Sequence, residues 1–345
     1  MSRESLEWLN QNTLIGFTDK RGKAWHYSER SQGDKTNHYA GAIPVEDVRS
    51  RILSWEPISL PLSVTIPGVM NADGVSPDRT VTDPNRQVIV RPDNGTIMGV
   101  FKSGYRIHGY TEWLINNIST LIDDSNLQIA SAGLLKGGAQ AWVQIEMPEN
   151  VDTPEGITFR PYLCGSTSLD GSLSTGYTRG STFVVCDNTL AIARSAGTTI
   201  KVKHTKNSLS KISDVRAALD IVHNDADDIA AEIATLCSTA VSDAVWAEFL
   251  SLETAPASDS KRAVTMSENY RDNLSALWNN DARVSPWKGT AMGVVQAVNT
   301  YAHHGSIVRG ASRSERNAER MVSGKINDLD SSTLATLDRA LTMVG

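Results

Sequence analysis

Cationic and aromatic side chains are interleaved in the middle of this sequence, a combination suited to binding unpaired nucleotides. The first group, Lys102, Tyr105 and Arg106, lies in the segment FKSGYRIH. Aromatic rings stack on bases at about 1–3 kcal/mol each, and cations neutralise the phosphate backbone. The remaining candidates lie in the segment LDGSLSTGYTRG and after it: Tyr177, Arg179, Arg194, Lys201, Lys203, His204 and Lys206. The alternative is that both tyrosines belong to the core of a sheet and that the lysines only increase solubility.

The charge of the chain changes sign just after these residues. Residues 194–216 contain six basic residues and one acid, whereas residues 217–258 contain eight acids and no Lys or Arg. A basic segment can hold a polyanion because each neutralised phosphate releases counterions. The acidic segment could instead meet the basic segment of a second copy, which would produce a homo-oligomer. Solvated surface is the simpler alternative for both segments.

The common signatures of catalysis, metal binding and nucleotide binding do not occur in the sequence. The seven histidines include no HxxxH pair and the three cysteines no CxxC pair, the spacings that place metal ligands together. LLKGGAQ and SPWKGT match neither phosphate-binding loop pattern, and no GxSxG nucleophile motif is present. We therefore expect a protein without catalytic residues, metal or cofactor. A hydrolase or nuclease would need a cluster of carboxylates or histidines that only folding could assemble.

Composition is typical of a globular protein in water. Of the 345 residues, 40% are apolar and 21% are charged, and the formal net charge is −6. This acidic total argues against a general nucleic-acid coat protein, but it is compatible with a local basic groove. No apolar run reaches the roughly 18 residues of a membrane helix, and the N-terminus has no apolar signal segment. We expect a cytoplasmic protein that has no contact with a membrane.

The periodicity of apolar residues divides the chain into three regions. Residues 1–85 are predicted to be irregular, with a short helix after Pro44 and an edge strand that contains Pro61. Residues 86–206 are predicted to form β-hairpins that pack on an amphipathic helix. Residues 207–345 show nearly continuous helical periodicity. The predicted fold class is therefore α+β, with antiparallel hairpins packed on a helix and a mostly α-helical C-terminal region.

Within the central region the turns and the helix can be placed more closely. Asn94-Gly95 predicts a two-residue type I′ hairpin turn, and residues 136–138 predict a second hairpin. The helix is expected from Tyr110 to Ile122. Residues 169–180 are rich in Gly and Ser and are predicted to be a loop, which places Tyr177 and Arg179 outside the sheet. Residues 187–196 are predicted to form a helical turn, and residues 198–205 a short basic strand.

Several blocks of the sequence recur together in a known family. They are TIMGVFKSGYRIHGYTEWL, SAGLLKGGAQAWVQIEMPE, PYLCGSTSLDGSLSTGYTRGSTFVVCDNTLAIA, IKVKHT and WKGTAMGVVQAVNTY. In order and spacing they resemble the phage/plasmid-like protein family, catalogued as domain of unknown function nine-three-two. The predicted order of strands and helix is similar to the core of single-strand annealing proteins of the RecT and Red-beta type. This similarity implies a ring or filament that anneals complementary strands without a nucleotide.

The leading hypothesis is thus a phage- or plasmid-encoded protein of the host cytoplasm that binds single-stranded DNA. It would promote annealing during homologous recombination as a homo-oligomer, with the cations contacting phosphates and Tyr105 and Tyr177 stacking on bases. The alternative is a non-enzymatic host-interaction or scaffold protein that engages its partner through the acidic helix.

Overall fold

A computed structural model of the protein describes residues 11–21, 35–71, 74–123, 126–147, 149–183, 189–190, 199–202, 215–310, 313–323 and 325–345. The strands are β1 Thr13–Ile15, β2 Ile58–Ile66, β3 Met70–Asn71, β4 Gly74–Val75, β5 Arg79–Val90, β6 Ile97–Lys102, β7 Gln128–Leu135, β8 Gln140–Glu146, β9 Val151–Asp152, β10 Thr158–Ser168, β11 Thr175–Phe183, β12 Thr189–Leu190 and β13 Thr199–Val202. The helices are α1 Thr18–Arg21, α2 Val45–Arg51, α3 Asn116–Asp123, α4 Val215–Ser238, α5 Asp243–Glu253, α6 Lys261–Asn280, α7 Ala291–Thr300, α8 Arg313–Ser323 and α9 Lys325–Val344. Single π-helical segments, Tyr110–Ile115 and Tyr301–Gly305, precede α3 and follow α7.

The main sheet is antiparallel and has the strand order β1-β7-β8-β10-β11-β12. β13 pairs with the first half of β11, and β12 pairs with its second half, so both lie at the same edge. Every residue of β8 is buried. Strands with both faces covered carry apolar residues at consecutive positions, and β8 accordingly places Val143 in one core and Trp142 in another. The sheet is therefore the central layer of the protein.

One face of this sheet packs on the helix that the sequence predicts. The π-helical segment and α3 bury Trp113, Leu114, Ile118 and Leu121 completely against the β-strands. The opposite face packs on α8 through Val322. Apolar burial of this kind contributes about 1.5–3 kcal/mol for each large side chain. The sheet is thus held from both sides.

The helical region forms a second core that continues into the main sheet. Five of the described helices contribute side chains to this core: α4, α5, α6, α7 and α9. Helix α7 lies at its centre, since every one of its residues is buried. Trp246 and Trp278 stack at 4.2 Å between ring centroids, and Phe159 of β10 joins the same cluster. Among the described helices, no segment is both long enough and apolar enough to cross a membrane.

A second sheet, with strand order β2-β5-β6, projects from the base of the main sheet. We call it the arm sheet. At its tip β3 and β4 form a small ribbon. The prediction of an edge strand at Pro61 is confirmed, because β2 pairs only with β5 among the described strands. The predicted boundary at residue 85 falls inside β5, which runs through a bulge opposite Pro61 and Leu62.

The α+β class is confirmed, and so are the hairpin at residues 136–138 and the long helices. Three local predictions are wrong. A type I′ turn needs a positive φ at both central residues, but of Asn94 and Gly95 only Gly95 has one. The connection between β5 and β6 is longer than two residues and spans residues 91–96. Tyr177 and Arg179 lie in β11, because the connection between β10 and β11 ends at residue 174 and not at residue 180 as predicted. Thr189 and Leu190 are a strand rather than a helical turn, because they pair with β11.

Candidate nucleic-acid interface

The candidate site lies at the end of β6, where the chain leaves the arm sheet. Phe101 is the penultimate residue of β6, and the chain then turns so that the Tyr105 amide donates to the Lys102 carbonyl at 2.9 Å. The two rings stack with centroids 4.1 Å apart and planes 13° from parallel. Gln87 of β5 holds the turn, since its side-chain amide donates to the carbonyl oxygens of Lys102 and Tyr105 at 3.1 and 2.7 Å. We call Phe101 and Tyr105 the aromatic pair.

The turn between β10 and β11 of the main sheet lies against the Phe101 ring of the aromatic pair. The Asp170 carboxylate accepts hydrogen bonds from the Ser172 amide and hydroxyl at 2.9 and 2.5 Å, which closes the connection between β10 and β11. Gly171 has a φ of +73°, and a Cβ atom at this position would lie 3.0 Å from the Phe101 ring. The residue is glycine because the backbone conformation and the close ring both exclude a side chain.

Two open grooves meet at Tyr105. The first has a volume of about 800 Å³ and is lined by Asn85, Arg86, Phe101, Lys102, Ser103, Gly104 and Tyr105. Its charged lining residues are both cations, and we call it the basic groove. The second has a volume of about 590 Å³, contains Arg106, and also carries the acids Glu56 and Glu112. We call it the mixed groove.

The cations around Tyr105 are exposed. Lys102 is exposed at the end of β6. Arg86 lies 3.8 Å from Asp83, and Arg106 lies 3.3 Å from Glu112, with all four side chains about half exposed. Exposed ion pairs of this type contribute about 0–1 kcal/mol each. A polyanion can therefore displace the carboxylates at little cost.

The mixed groove is less suited to an anion. Glu56 accepts a hydrogen bond at 2.8 Å from the Thr111 amide, at the N-terminus of the helix that begins at residue 110. Helix N-termini attract negative charge through their free amides, and here a carboxylate of the protein already occupies that position. The basic groove is thus the better candidate for a phosphate.

Tyr105 is neutral in the physiological pH range. Partial burial of its ring raises the pKa of the Tyr105 phenol to about 12, and the nearby carboxylate of Asp170 contributes to the increase. A neutral phenol does not repel phosphate, so the ring can serve as a stacking surface throughout the physiological pH range.

The other predicted tyrosine has a different position. Tyr177 is 5% exposed, and its ring lies 5.8 Å from that of Trp113 inside the main core. Burial raises the pKa of the Tyr177 phenol well above its ordinary value. A buried ring cannot stack on a base, so the expectation that Tyr177 contacts nucleotides does not hold in this fold.

The remaining predicted cations lie along one edge of the main sheet or outside the described residues. Arg179 lies in β11 opposite Leu163, and Lys201 lies in β13 opposite Gly176. This pairing sets the end of β13 beside Thr175, where the turn that supports Phe101 rejoins the sheet. The turn between β10 and β11 therefore touches Phe101 on one side and leads, at Thr175, to the residue paired with the end of β13. Four predicted site residues lie outside the described residues: Arg194, Lys203, His204 and Lys206.

Sequence reasoning missed two residues of the basic groove, Phe101 and Arg86. Phe101 precedes Tyr105 by four residues, and the intervening KSG favours a turn that folds the rings together. That spacing was the available signal. Arg86 carries no comparable signal, because it reaches the groove only through the pairing of β5 with β6, opposite Lys102.

The described residues offer little for catalysis or metal binding, and Glu146 and Cys164 of the main sheet are buried. In the described part of the chain, no group of three or more His, Cys, Asp or Glu side chains could hold a metal ion. Glu146 and Arg160 are both buried in the main sheet, 3.7 Å apart. Cys164 is also buried, and burial raises the pKa of its thiol to about 12, which makes it a poor nucleophile.

The chain is thus an α+β protein with a central antiparallel sheet, a second antiparallel sheet, and a basic groove at the end of β6. Residues 97–323 match the model of the family described as domain of unknown function, DUF932. This segment covers well over half of the chain, and the protein belongs to that family. No curated protein and no solved structure matches the chain.

Proposed function

We propose that the protein binds single-stranded DNA in the basic groove and promotes strand annealing as a homo-oligomer, without nucleotide hydrolysis. The observation that carries the proposal is the aromatic pair beside two exposed cations, Lys102 and Arg86, in an open groove. Nonspecific binding of single strands needs these two elements, a stacking surface and a positive track. Duplex DNA hides the faces of its bases, so a stacking surface favours unpaired strands.

The assembly and the biological setting are supported less directly. The family resemblance indicates a phage or plasmid context, in which a single-strand binding protein serves homologous recombination. A ring or filament would align the basic grooves of successive copies. The relation to RecT-type annealing proteins remains a prediction that rests on the order of strands and helix.

A direct test is the titration of a fluorescent single-stranded oligonucleotide at several salt concentrations. Lys102→Ala removes one phosphate contact, so the slope of log affinity against log salt should fall by about 0.7. Lys325→Ala changes an exposed lysine at the start of α9 and is the matched control, with unchanged affinity and slope. Binding that is absent, or insensitive to salt, would contradict the proposal.

Annealing requires a separate assay. Two complementary oligonucleotides that carry a fluorophore and a quencher should anneal faster with the protein than without it. The acceleration should need no added nucleotide and should decrease with Lys102→Ala. A protein that binds single strands but leaves the annealing rate unchanged would retain the first half of the proposal and lose the second.

The alternative, a host-interaction or scaffold protein, is favoured by one observation. Asp227 and Asp228 are exposed on α4, within the predicted acidic helix. Under this alternative, Lys102→Glu would leave partner binding unchanged and the chain would show no affinity for DNA.

A further inference from the structure

One surface of the molecule is uncovered and aliphatic, and the proposed DNA contact does not use it. It lies on the arm sheet and consists of side chains that are 41–60% exposed: Ile58, Leu60, Val64, Ile66, Val81 and Val100. We call it the aliphatic face. Four of these residues alternate along β2, as expected for a strand whose side chains point to two faces in turn, and Leu62 between them is half-buried.

The register of the arm sheet makes this surface continuous across three strands. Leu60 lies opposite Val88, and Val88 lies opposite Val100. Further along the arm, Val64 lies opposite Val81. Directly opposed aliphatic side chains are about 5 Å apart and form one patch. The same register places Asp83 opposite Leu62 and Arg79 opposite Ile66, so two charged residues of β5 interrupt the aliphatic face.

The other face of the same ribbon is polar. Ser63 and Thr82 share a hydrogen bond of 2.8 Å, and Thr65 and Thr80 share one of 3.4 Å. An antiparallel sheet with one polar and one apolar face normally packs its apolar face on a core. Six side chains of this face stay 41–60% exposed, although a two-stranded ribbon is only marginally stable in water by itself.

The size of the aliphatic face is that of a protein contact. Monomeric proteins rarely expose an apolar patch larger than a few hundred Å², and six half-exposed aliphatic side chains reach that range. Scattered single residues would need no partner, but a continuous row does.

The order of residues on β2 indicates that the partner is a second copy of this chain. The row on the aliphatic side reads Ile58, Leu60, Leu62, Val64, Ile66, which is nearly the same in both directions about Leu62. A two-fold contact requires a surface that is complementary to itself when reversed. With Leu62 on the axis, Ile58 meets Ile66 and Leu60 meets Val64, which are side chains of similar size. Asp83 lies opposite Leu62, next to the axis, and its carboxylate is 3.8 Å from Arg86 of the same chain.

Two other arrangements fit less well. Pairing of two β2 edges through main-chain hydrogen bonds is interrupted by Pro61, which has no amide donor. Insertion into a membrane surface usually employs aromatic and cationic side chains. Residues 58–90 contain no Phe, Tyr or Trp, and their three acids outnumber their two basic residues.

We propose that two copies of the chain associate through their aliphatic faces, antiparallel to each other, with Leu62 near the two-fold axis. The contact identifies one interface of the homo-oligomer in the proposed function, but it does not depend on DNA binding. Because Asn85 and Arg86 lie in the bulge of β5, the same dimer would join two basic grooves through their arms.

Sedimentation velocity over a range of protein concentrations tests the association. The wild-type protein should show a species of about twice the monomer mass of 37.4 kDa. Val64→Asp places a charge in the contact and should weaken the association by about tenfold or more. Thr65→Asp places the same charge on the polar face and should leave it unchanged. A monomer at all concentrations, or equal association of both variants, overturns the proposal.

Disulfide trapping tests the geometry. Leu62→Cys should form a dimer linked by a disulfide under mild oxidation, because the two thiols face each other near the axis. Ser63→Cys, on the opposite face, should not. Failure of Leu62→Cys to link in a protein that sediments as a dimer would place the interface elsewhere.

Vesicles of mixed phosphatidylcholine and phosphatidylglycerol test the membrane alternative. Vesicle binding by a monomeric wild-type protein, abolished by Val64→Asp, would assign the aliphatic face to lipid and overturn the proposal. Val64→Asp should also retain its affinity for a short oligonucleotide that one basic groove can hold. If the wild-type protein binds no DNA but forms the dimer, the proposed function is contradicted and the proposed dimer is not. The two proposals can therefore be refuted independently.

Discussion

Replacing Tyr105 by Leu is the sharpest test of the aromatic pair, because it removes a ring and no charge. The Tyr105 ring stacks on Phe101 at 4.1 Å and lines both grooves. Leu retains an apolar side chain that can rest on Phe101 but has no flat surface for a base. Tyr105→Phe retains the ring and removes only the hydroxyl, and it is the matched control.

The structure sets the expected magnitudes. One face of the Tyr105 ring is covered by Phe101, so at most one base can stack on it. Loss of one such stack costs about 1–3 kcal/mol, which corresponds to an affinity about fivefold to 150-fold weaker. The ring pair itself contributes about 0.5–1.5 kcal/mol to folding. Since a domain is usually stable by about 5–15 kcal/mol, the Leu variant should remain folded.

Fluorescence anisotropy with a single-stranded oligonucleotide measures the effect, and thermal unfolding measures the accompanying loss of stability. Tyr105→Leu should bind more weakly but with the same salt dependence, because no phosphate contact is lost. Tyr105→Phe should bind within about twofold of the wild type. Wild-type affinity in the Leu variant would show that the aromatic pair has no part in binding. Equal weakening of both variants would assign the effect to the hydroxyl.

Three further predictions follow from buried or charged groups. Asp170→Asn keeps the acceptor of the supporting turn and removes a carboxylate near the aromatic pair, so affinity for single-stranded DNA at low salt should rise about twofold to fivefold in the same titration. Gly133→Ala places a Cβ that overlaps the buried Trp142 ring, and unfolding in denaturant should show a loss of about 1–3 kcal/mol. Gly41→Ala, with open space around its Cβ, should show none. Burial lowers the pKa of His303 to about 4, below its unfolded value near 6.5, so the unfolded state gains protons first as pH falls and up to about 3 kcal/mol of stability is lost between those values. His303→Gln should flatten that part of the pH–stability curve, and an unchanged curve would contradict the assignment.

Local patterns were sufficient for most of the elements. The helix at residues 110–123 and the strand β10 follow from the spacing of their apolar residues, which reflects backbone geometry. The π-helical start of the helix was not predictable, since apolar periodicity does not distinguish it from an α-helix. The same limit applies to the turn at Asn94, where a dipeptide preference was overridden by the length of the β5–β6 connection.

The candidate site was predictable only in part, for a physical reason. The Gly- and Ser-rich composition around Tyr177 predicted a loop, whereas Tyr177 lies in β11, and no local pattern shows which faces of a sheet the rest of the protein covers. Tyr177 is buried because the helix that contains Trp113 packs on that face of the sheet. Tyr105 has the same residue type and a similar Gly-rich neighbourhood, yet it lies beyond the end of β6 and stays accessible. Burial is a property of the assembled layers, so it separates two tyrosines that look alike in sequence.

The segment that matches the family model contains most of the aromatic site but little of the aliphatic face. The matched segment begins at residue 97, the first residue of β6, and it includes the aromatic pair, Lys102 and the supporting turn at Asp170. Strands β2 and β5, which carry most of the aliphatic face, precede it. Arg86 of the basic groove lies in β5 and also precedes the match. If the groove binds DNA, the part of the activity that depends on the aromatic pair and Lys102 should extend to other members of the family. The homotypic contact through the arm depends on residues outside the family model, so it should vary with the sequence before β6, and each member's oligomeric state has to be measured separately.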